Sequence, residues 1–247
     1  MTTLVLAAHG SRDPRFAATM ERIIHGVRTR LSGVDVRLGY LGLNSPGVAE
    51  VLAGCTGRVL VAPLLLSNAF HSKVDVPAIV SDACAANPDI EVRQLPPLGD
   101  DPRIVSALVD RLHQAGIRPT DGVVLTAVGS SDSTADEAVR VRTGELAVQL
   151  RTPLVQTIFA TRLGRNHSNL HQALRNLRRD GARRVVVSPY FLSAGLLTER
   201  IDAAMDHLAP GSLIAGPIGA HPDLIDVVCD RYRDATMVTP APFSAFR

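Results

Sequence analysis

The sequence has no tryptophan, and aromatic residues make up only 4% of its 247 positions. So few aromatic side chains leave little surface on which bases could stack. The charge is also balanced, with 26 basic and 24 acidic residues and a formal net charge of +2. Both features disfavour a nucleic-acid partner. Nearly all of the basic residues are arginine, and Lys73 is the lone lysine. We interpret this bias as compositional, with a functional Lys73 as the alternative.

Cysteine is also scarce. Cys55, Cys84 and Cys229 are widely separated and form no CxxC pair, which disfavours structural zinc, iron–sulfur clusters and a disulfide framework. No apolar run approaches the roughly 20 residues of a membrane span. The first apolar stretch follows no basic region and is too short for a signal sequence. We therefore expect a cytoplasmic protein with no membrane partner.

The segment LVLAAHGSRDPR, from Leu4 to Arg15, combines a short apolar run with abrupt polar and glycine punctuation. This pattern predicts a buried parallel strand that ends at His9 and feeds a loop opening a helix. Ligands bind outside the carboxyl ends of strands in open α/β sheets, so His9 is a candidate site residue.

Apolar runs and helical patterns alternate along the rest of the chain, which predicts βαβ units and parallel, doubly wound sheets. The later predicted strands are Val34–Leu41, Arg58–Leu65, Ile90–Leu95, Val123–Val128, Leu154–Ala160 and Arg184–Pro189. The predicted helices are 16–32, 44–53, 69–85, 102–114, 135–150, 168–179, 196–207 and 222–233.

The pattern restarts halfway along the chain. LVLAAHGSRDP from Leu4 matches VVLTAVGSSDS from Val123 at an offset of 119 residues, and RVLVAPLLLS from Arg58 matches RVVVSPYFLS from Arg184 at an offset of 126. Two ordered matches at similar offsets indicate two copies of one α/β unit, separated by a linker near 116–121. We predict two similar domains with a cleft between them: a first half, 1–117, with the metal site, a degenerate second half, 121–234, and a tail, 235–247.

The duplication is an internal control for the histidines. Val128 stands where the first half has His9, and Leu197 stands where it has His71. The fold therefore requires imidazole at neither position, which favours a functional role for both. Two imidazoles at neighbouring strand ends suit Fe²⁺, Co²⁺, Ni²⁺ or Zn²⁺. Asp75, four residues after His71, is a candidate for orienting that ring, with a solvated first-turn acid as the alternative.

The segments AHGSRDPR and PLLLSNAFHSKVDVP resemble the two signature regions of the sirohydrochlorin chelatases, within the class II tetrapyrrole chelatases. The resemblance spans both halves. It implies that His9 and His71 are the metal-binding and catalytic residues. It also implies insertion of Fe²⁺ or Co²⁺, the metal being a substrate, into sirohydrochlorin for sirohaem or cobalamin synthesis, with no nucleotide cofactor. Family members commonly carry a glutamate where this chain has Gly42, so a third, anionic ligand is missing.

A tetrapyrrole substrate with many carboxylates needs cationic and hydroxyl partners. We expect these from residues beside the histidines and from the matching strand ends of the second half. They are Ser11, Arg12, Arg15, Ser67, Lys73, Arg162 and Arg200. We expect a monomer or a weak homodimer.

Three alternatives stay open at this point. His167 and His171 form an HxxxH pair that we interpret as an exposed helix start rather than a metal site, and we treat the other histidines as structural. A histidine phosphatase would carry arginine directly before the histidine, where this chain has Ala8. A non-catalytic metal or tetrapyrrole carrier is the third alternative.

Overall fold

The computed structural model describes residues 2–66 and 75–237. Eight strands and eight α-helices alternate within these residues. The first half contains β1 (Thr2–Ala8), α1 (Pro14–Arg30), β2 (Val36–Tyr40), α2 (Val48–Ala53), β3 (Gly57–Pro63), α3 (Val76–Ala86), β4 (Ile90–Gln94) and α4 (Arg103–Gln114). The second half contains β5 (Asp121–Ala127), α5 (Ser133–Gln149), β6 (Val155–Phe159), α6 (Ser168–Arg179), β7 (Arg184–Pro189), α7 (Leu196–Leu208), β8 (Leu213–Ile214) and α8 (Pro222–Met237).

Each half forms its own four-stranded parallel sheet. The strand order is β2-β1-β3-β4 in the first sheet and β6-β5-β7-β8 in the second, so the two topologies are the same. Ala8 pairs with Tyr40, and Ala127 pairs with Phe159, at the same offset of 119 residues. The prediction of two similar doubly wound α/β units is confirmed, and β1 and β3 are neighbours as expected.

Three layers of apolar side chains hold the molecule together. One buried cluster runs continuously through both halves, from Leu4 and Leu6 of β1 to Val123 and Leu125 of β5. The outer face of the first sheet has a separate cluster around Val5, and the outer face of the second has one around Val124. Alternate residues of β1 and β5 thus face opposite layers, as the pleat of a strand requires.

The last helix of each half packs on the other half. Helix α8 lies against α1 and β3 of the first half, whereas α4 lies against α5 and β7 of the second. The two helices also contact each other, and Arg103 of α4 bonds the carboxylate of Asp230 in α8 at 2.6 Å. The predicted boundary at 117–121 falls between α4 and β5. Even so, each sheet is partly covered by a helix from the other half, the first by α8 and the second by α4.

Several element bounds differ from the sequence-based ones. Helix α2 begins at Val48 rather than near 44, because Gly47, directly before it, has extended backbone angles. The two-residue strand β8 was not predicted, since it is too short to show a periodic pattern. Helix α8 continues to Met237, into the segment expected to be a tail. Residues 69–74 of the helix predicted over 69–85 lie outside the described residues. No helix in the described part of the chain has the length and apolar character needed to cross a bilayer.

Candidate functional site

The loop after β1 places His9 at the surface. Gly10, which follows it, has φ +96°, and a Cβ on that residue would lie 1.8 Å from the carbonyl oxygen of Gly42. The next backbone N–H, of Ser11, donates to the Asn44 side-chain oxygen at 2.6 Å. The loop after β1 is therefore held against the loop after β2, and only glycine fits at the contact. This packing fixes the position of His9, which is exposed at the carboxyl edge of the sheet.

Ser11 and Asp13 turn the chain into α1. The Ser11 hydroxyl accepts the N–H of Asp13 at 3.1 Å, and the Asp13 carboxylate caps the helix by accepting the N–H of Arg15 at 2.9 Å. The Arg15 guanidinium bonds the same carboxylate and lowers the pKa of Asp13 to about 2. Asp13 is thus charged at neutral pH, and the helix start is fixed next to His9.

A cleft of about 590 Å³ lies between the two halves. Its walls come from the carboxyl ends of strands in both sheets. The first half contributes His9, Ser11, Phe16 and Leu64 to Leu66, and the second contributes residues near 127–139 and 190–198. The predicted cleft between the halves is present, and His9 lines it.

The second half supplies an apolar wall to this cleft. Val128, the counterpart of His9, is 45% exposed, and Leu196 is 79% exposed, although both are aliphatic. Leu197, the counterpart of His71, lines the cleft beside them. Exposed aliphatic groups that converge on one concavity are typical of a surface that binds an apolar ligand face. The equivalent strand ends therefore present different chemistry to the cleft, imidazole from β1 and an aliphatic side chain from β5, among apolar and polar groups contributed by both halves.

The four arginines predicted to bind substrate carboxylates have different partners in the structure. Arg15 bridges the halves, because it bonds Asp13 and also reaches Glu199 of α7 at 2.5 Å. Arg162 forms an ion pair with Asp136. The Arg162 guanidinium also lies 4.8 Å from the centre of the Phe159 ring. Arg12 and Arg200 are exposed. Binding of substrate carboxylates by these four stays a prediction.

Tyr190 joins the halves at the floor of the cleft and was not predicted from the sequence. Its hydroxyl donates to the carbonyl oxygen of Leu66 at 2.9 Å. Burial raises the pKa of Tyr190, so the hydroxyl stays neutral and remains a donor. Ser193, nearby, accepts a hydrogen bond from the Thr19 hydroxyl at 3.3 Å across the same interface. The sequence showed only that Tyr190 directly follows β7. It could not show the partner of the hydroxyl, because Leu66 is 124 residues away in the sequence.

Three of the predicted site residues, His71, Ser67 and Lys73, lie outside the described residues. Asp75 is described, and it directly precedes α3. It lines a second, smaller pocket together with His9 and Gly42. The structure thus brings His9 and Asp75 to one cavity, although they are 66 positions apart in the sequence.

Two other histidines lie at the starts of helices, His167 before α6 and His221 before α8. His167 has left-handed backbone angles, φ 58°, and precedes α6, so it does not share a regular helical face with His171. His221 is buried and forms a group with Asp110 and Asp223. The backbone N–H of Asp223 donates to Nδ1 of His221 at 3.2 Å. The ring proton therefore sits on Nε2, 3.4 Å from Asp110, and we assign His221 a helix-capping role.

Two parallel sheets of the same topology, whose carboxyl edges share one cleft with a histidine at its wall, define a two-unit α/β protein with a ligand cleft between its halves. The CbiX family model matches residues 3–115 and again residues 122–235, and the chain belongs to this family. Relatives include a sirohydrochlorin ferrochelatase of Priestia megaterium, 26% identical over 92% of this chain and 88% of that protein. A sirohydrochlorin cobaltochelatase of Methanopyrus kandleri is 28% identical over 47% of this chain and 97% of its own length.

Solved structures share the fold. The structure of SirB from Bacillus subtilis with Fe³⁺ matches with a TM-score of 0.81. It is 24% identical, and the match covers 96% of each chain. Both sheets therefore have a known architectural counterpart.

Proposed function

We propose that this protein is a sirohydrochlorin chelatase that inserts Fe²⁺ or Co²⁺ into the macrocycle without nucleotide hydrolysis. The named activities of its relatives support this class of reaction, and a cytoplasmic location remains our prediction. The observation that carries the proposal is the contrast between His9 and Val128. The same strand end presents imidazole from one half and an aliphatic side chain from the other, both to one cleft.

The two walls suit the two parts of the reaction. An aliphatic wall that includes Val128 and Leu196 favours contact with the flat face of a macrocycle, because it removes apolar surface from water. His9 lies across the cleft, where it can offer a nitrogen to the metal ion or to a pyrrole N–H. The macrocycle would thus lie between the halves, with its metal-accepting face toward His9.

Metallation exchanges two protons for one divalent ion. Four ring nitrogens replace the water and protein ligands of the ion, and two pyrrole N–H protons leave. Neutral His9 can accept one of these protons and pass it to solvent, because its side chain is exposed. General-base assistance of this kind is worth about 10²- to 10⁴-fold in rate. We propose that His71 is the second base and metal ligand, on the sequence argument alone.

The substrate carboxylates would lie toward the rim of the cleft. Arg12 and Arg200 are exposed candidates, one on each half. Arg15 and Arg162 already neutralise protein carboxylates, so a substrate carboxylate would compete with Glu199 or Asp136 for them. We propose Ser11, Ser67 and Lys73 as further contacts from the first half.

The test is the absorbance change when sirohydrochlorin is mixed anaerobically with Co²⁺ or Fe²⁺. We expect the wild-type protein to accelerate metallation, and His9→Ala and His71→Ala to reduce the rate toward the uncatalysed one. If all three proteins match the uncatalysed rate, the enzymatic proposal is wrong. Binding of Co²⁺ or macrocycle without acceleration would instead indicate a carrier.

A phosphatase is disfavoured by one observation. Arg15, a candidate phosphate ligand near His9, is engaged by both Asp13 and Glu199. An anion arriving there would meet two carboxylates at the same guanidinium. We expect no hydrolysis of a generic phosphate ester.

A further inference from the structure

His9 borders two cavities rather than one. The cleft lies on one side, and a side pocket of about 330 Å³ lies on the other. Among the described residues, the side pocket is lined by His9, Gly42, Asp75, Ala78 and three aliphatic side chains. Two ligands can therefore approach the imidazole from different directions.

Gly42 keeps this side pocket open. A Cβ on Gly42 would have no atom of a described residue within 4 Å, so nothing in the described part of the chain fills this position. The offset of 119 residues that relates β1–β2 to β5–β6 makes Thr161 its counterpart. The Thr161 hydroxyl donates to the carbonyl oxygen of Val128 at 2.7 Å and occupies the equivalent position. The half with a histidine has the opening, whereas the half with Val128 has a threonine there.

The size and chemistry of the side pocket suit a hydrated metal ion. At about 30 Å³ for each water, an ion with six waters needs about 180 Å³ and fits. Among the described lining residues, the ionisable side chains are His9 and Asp75. An imidazole nitrogen with a carboxylate oxygen is a ligand pair that binds Fe²⁺ and Co²⁺. The larger cleft, with its aliphatic wall, suits the macrocycle instead.

We propose that the side pocket is the entry port for the metal ion and that Asp75 is a direct carboxylate ligand of the incoming ion. This inference rests on the proposed chelatase function. The ion exchanges waters for an Asp75 oxygen and then a His9 nitrogen, and it reaches the macrocycle from the face opposite the apolar wall. No covalent bond of the protein changes. Metal and macrocycle therefore bind at the same time, each without blocking the other.

The direct test is Co²⁺ binding by the protein without macrocycle, followed by its visible absorption or by calorimetry. Asp75→Asn keeps the size of the side chain but removes its charge. We expect Co²⁺ binding to weaken at least tenfold and the dissociation constant for metal-free sirohydrochlorin to stay unchanged. Asp82→Asn is the matched control, since Asp82 is an exposed carboxylate on the same helix.

A second variant tests the port by its size. Ala78→Phe fills the pocket from an exposed position of α3, so the fold should tolerate it. We expect the KM for Co²⁺ to rise at least fivefold, with the KM for sirohydrochlorin unchanged. Ala85→Phe places the same ring on an exposed position of α3 outside the pocket and should change neither value.

The possible outcomes separate the two proposals. If the wild type metallates and both Asp75→Asn and Ala78→Phe behave as their controls do, the port is wrong and the chelatase proposal stands. If the wild type does not metallate, the chelatase proposal fails. The Co²⁺ titration still decides the role of Asp75 in that case, because it needs no macrocycle.

Discussion

His9 and Val128 occupy equivalent positions after β1 and β5 and line the same cleft from opposite halves. The duplication has kept the strand, the glycine that follows it and the helix-capping aspartate in both places. The side chains at these two positions, an imidazole and an isopropyl group, differ in kind. This difference underlies our proposal that the first half carries the metal chemistry and the second half holds the macrocycle.

The contact between the first two loops should control both stability and activity. Gly10→Ala would force a Cβ against the Gly42 carbonyl and strain a left-handed residue. We expect the free energy of unfolding to fall by roughly 2–5 kcal/mol, the sum of overpacking and left-handed strain. Metallation should also be lost, because the clash displaces the loop that carries His9.

Gly33→Ala is the matched control for Gly10→Ala. Gly33 has φ +83°, yet a Cβ there would meet no atom of a described residue within 4 Å. We expect a loss of about 1–2 kcal/mol from strain alone, with normal metallation. Equal urea midpoints for the two variants would show that the contact with Gly42 does not matter.

The exchange of α4 and α8 makes each half incomplete by itself. A fragment of residues 1–117 lacks α8, whose buried side chains include Leu224, Val228 and Tyr232. We expect the fragment to form dimers, with α4 of each copy covering the other's sheet, because α4 is the counterpart of α8. A relative of about half this length indicates that one unit can serve a whole protein. Size-exclusion chromatography with light scattering measures the mass, and a stable, cooperatively unfolding monomer would contradict the prediction.

The buried carboxylate at the start of β5 should give a pH-dependent contribution to stability. Burial alone would raise the pKa of Asp121. Hydrogen bonds from Arg184 and from the backbone N–H of Arg118 have a larger, opposite effect, so the net pKa lies below the ordinary value of 3.8. A depressed folded-state pKa means that this stabilisation is present above pH 3.8 and lost as the pH falls below that value. Asp121→Asn should cost about 1.5–3 kcal/mol at pH 7 and less at pH 3.

The control for Asp121→Asn is Asp180→Asn. Asp180 pairs with Arg179 at the surface, and exposed pairs contribute about 0–1 kcal/mol. Urea unfolding of both variants at pH 7 and pH 3 measures the difference. A cost for Asp121→Asn that is the same at both pH values would exclude a role for its charge.

The sequence predicted most of the fold because both halves contain long, regular patterns. Apolar runs such as Val123–Val128 and the repeat at two offsets were sufficient to predict parallel sheets in two similar units. The exchange of α4 and α8 was not visible, since an amphipathic pattern shows that a helix has an apolar face but not which sheet covers it. Strand β8 has too few residues to give any pattern.

The candidate site was predicted only in part for a similar reason. The position of His9 follows from local punctuation, and its contrast with Val128 follows from the repeat. The bonds from Arg15 to Glu199 and from Tyr190 to Leu66 join residues more than 120 positions apart. Such pairs depend on how the halves pack, which no local pattern encodes. The side pocket at Gly42 was likewise invisible, because the sequence showed only a missing acid.

The central claim is that His9 carries the chemistry and Val128 helps to bind the macrocycle. Steady-state metallation kinetics of His9→Ala and Val128→Ala, measured side by side, test it most directly. For His9→Ala we expect kcat to fall by about 10²- to 10⁴-fold, with the KM for sirohydrochlorin nearly unchanged. For Val128→Ala we expect the KM to rise about fivefold, roughly 1 kcal/mol of apolar contact, at a normal kcat. A His9→Ala protein that keeps kcat within threefold of wild type, or a Val128→Ala protein that loses kcat equally, would contradict the account.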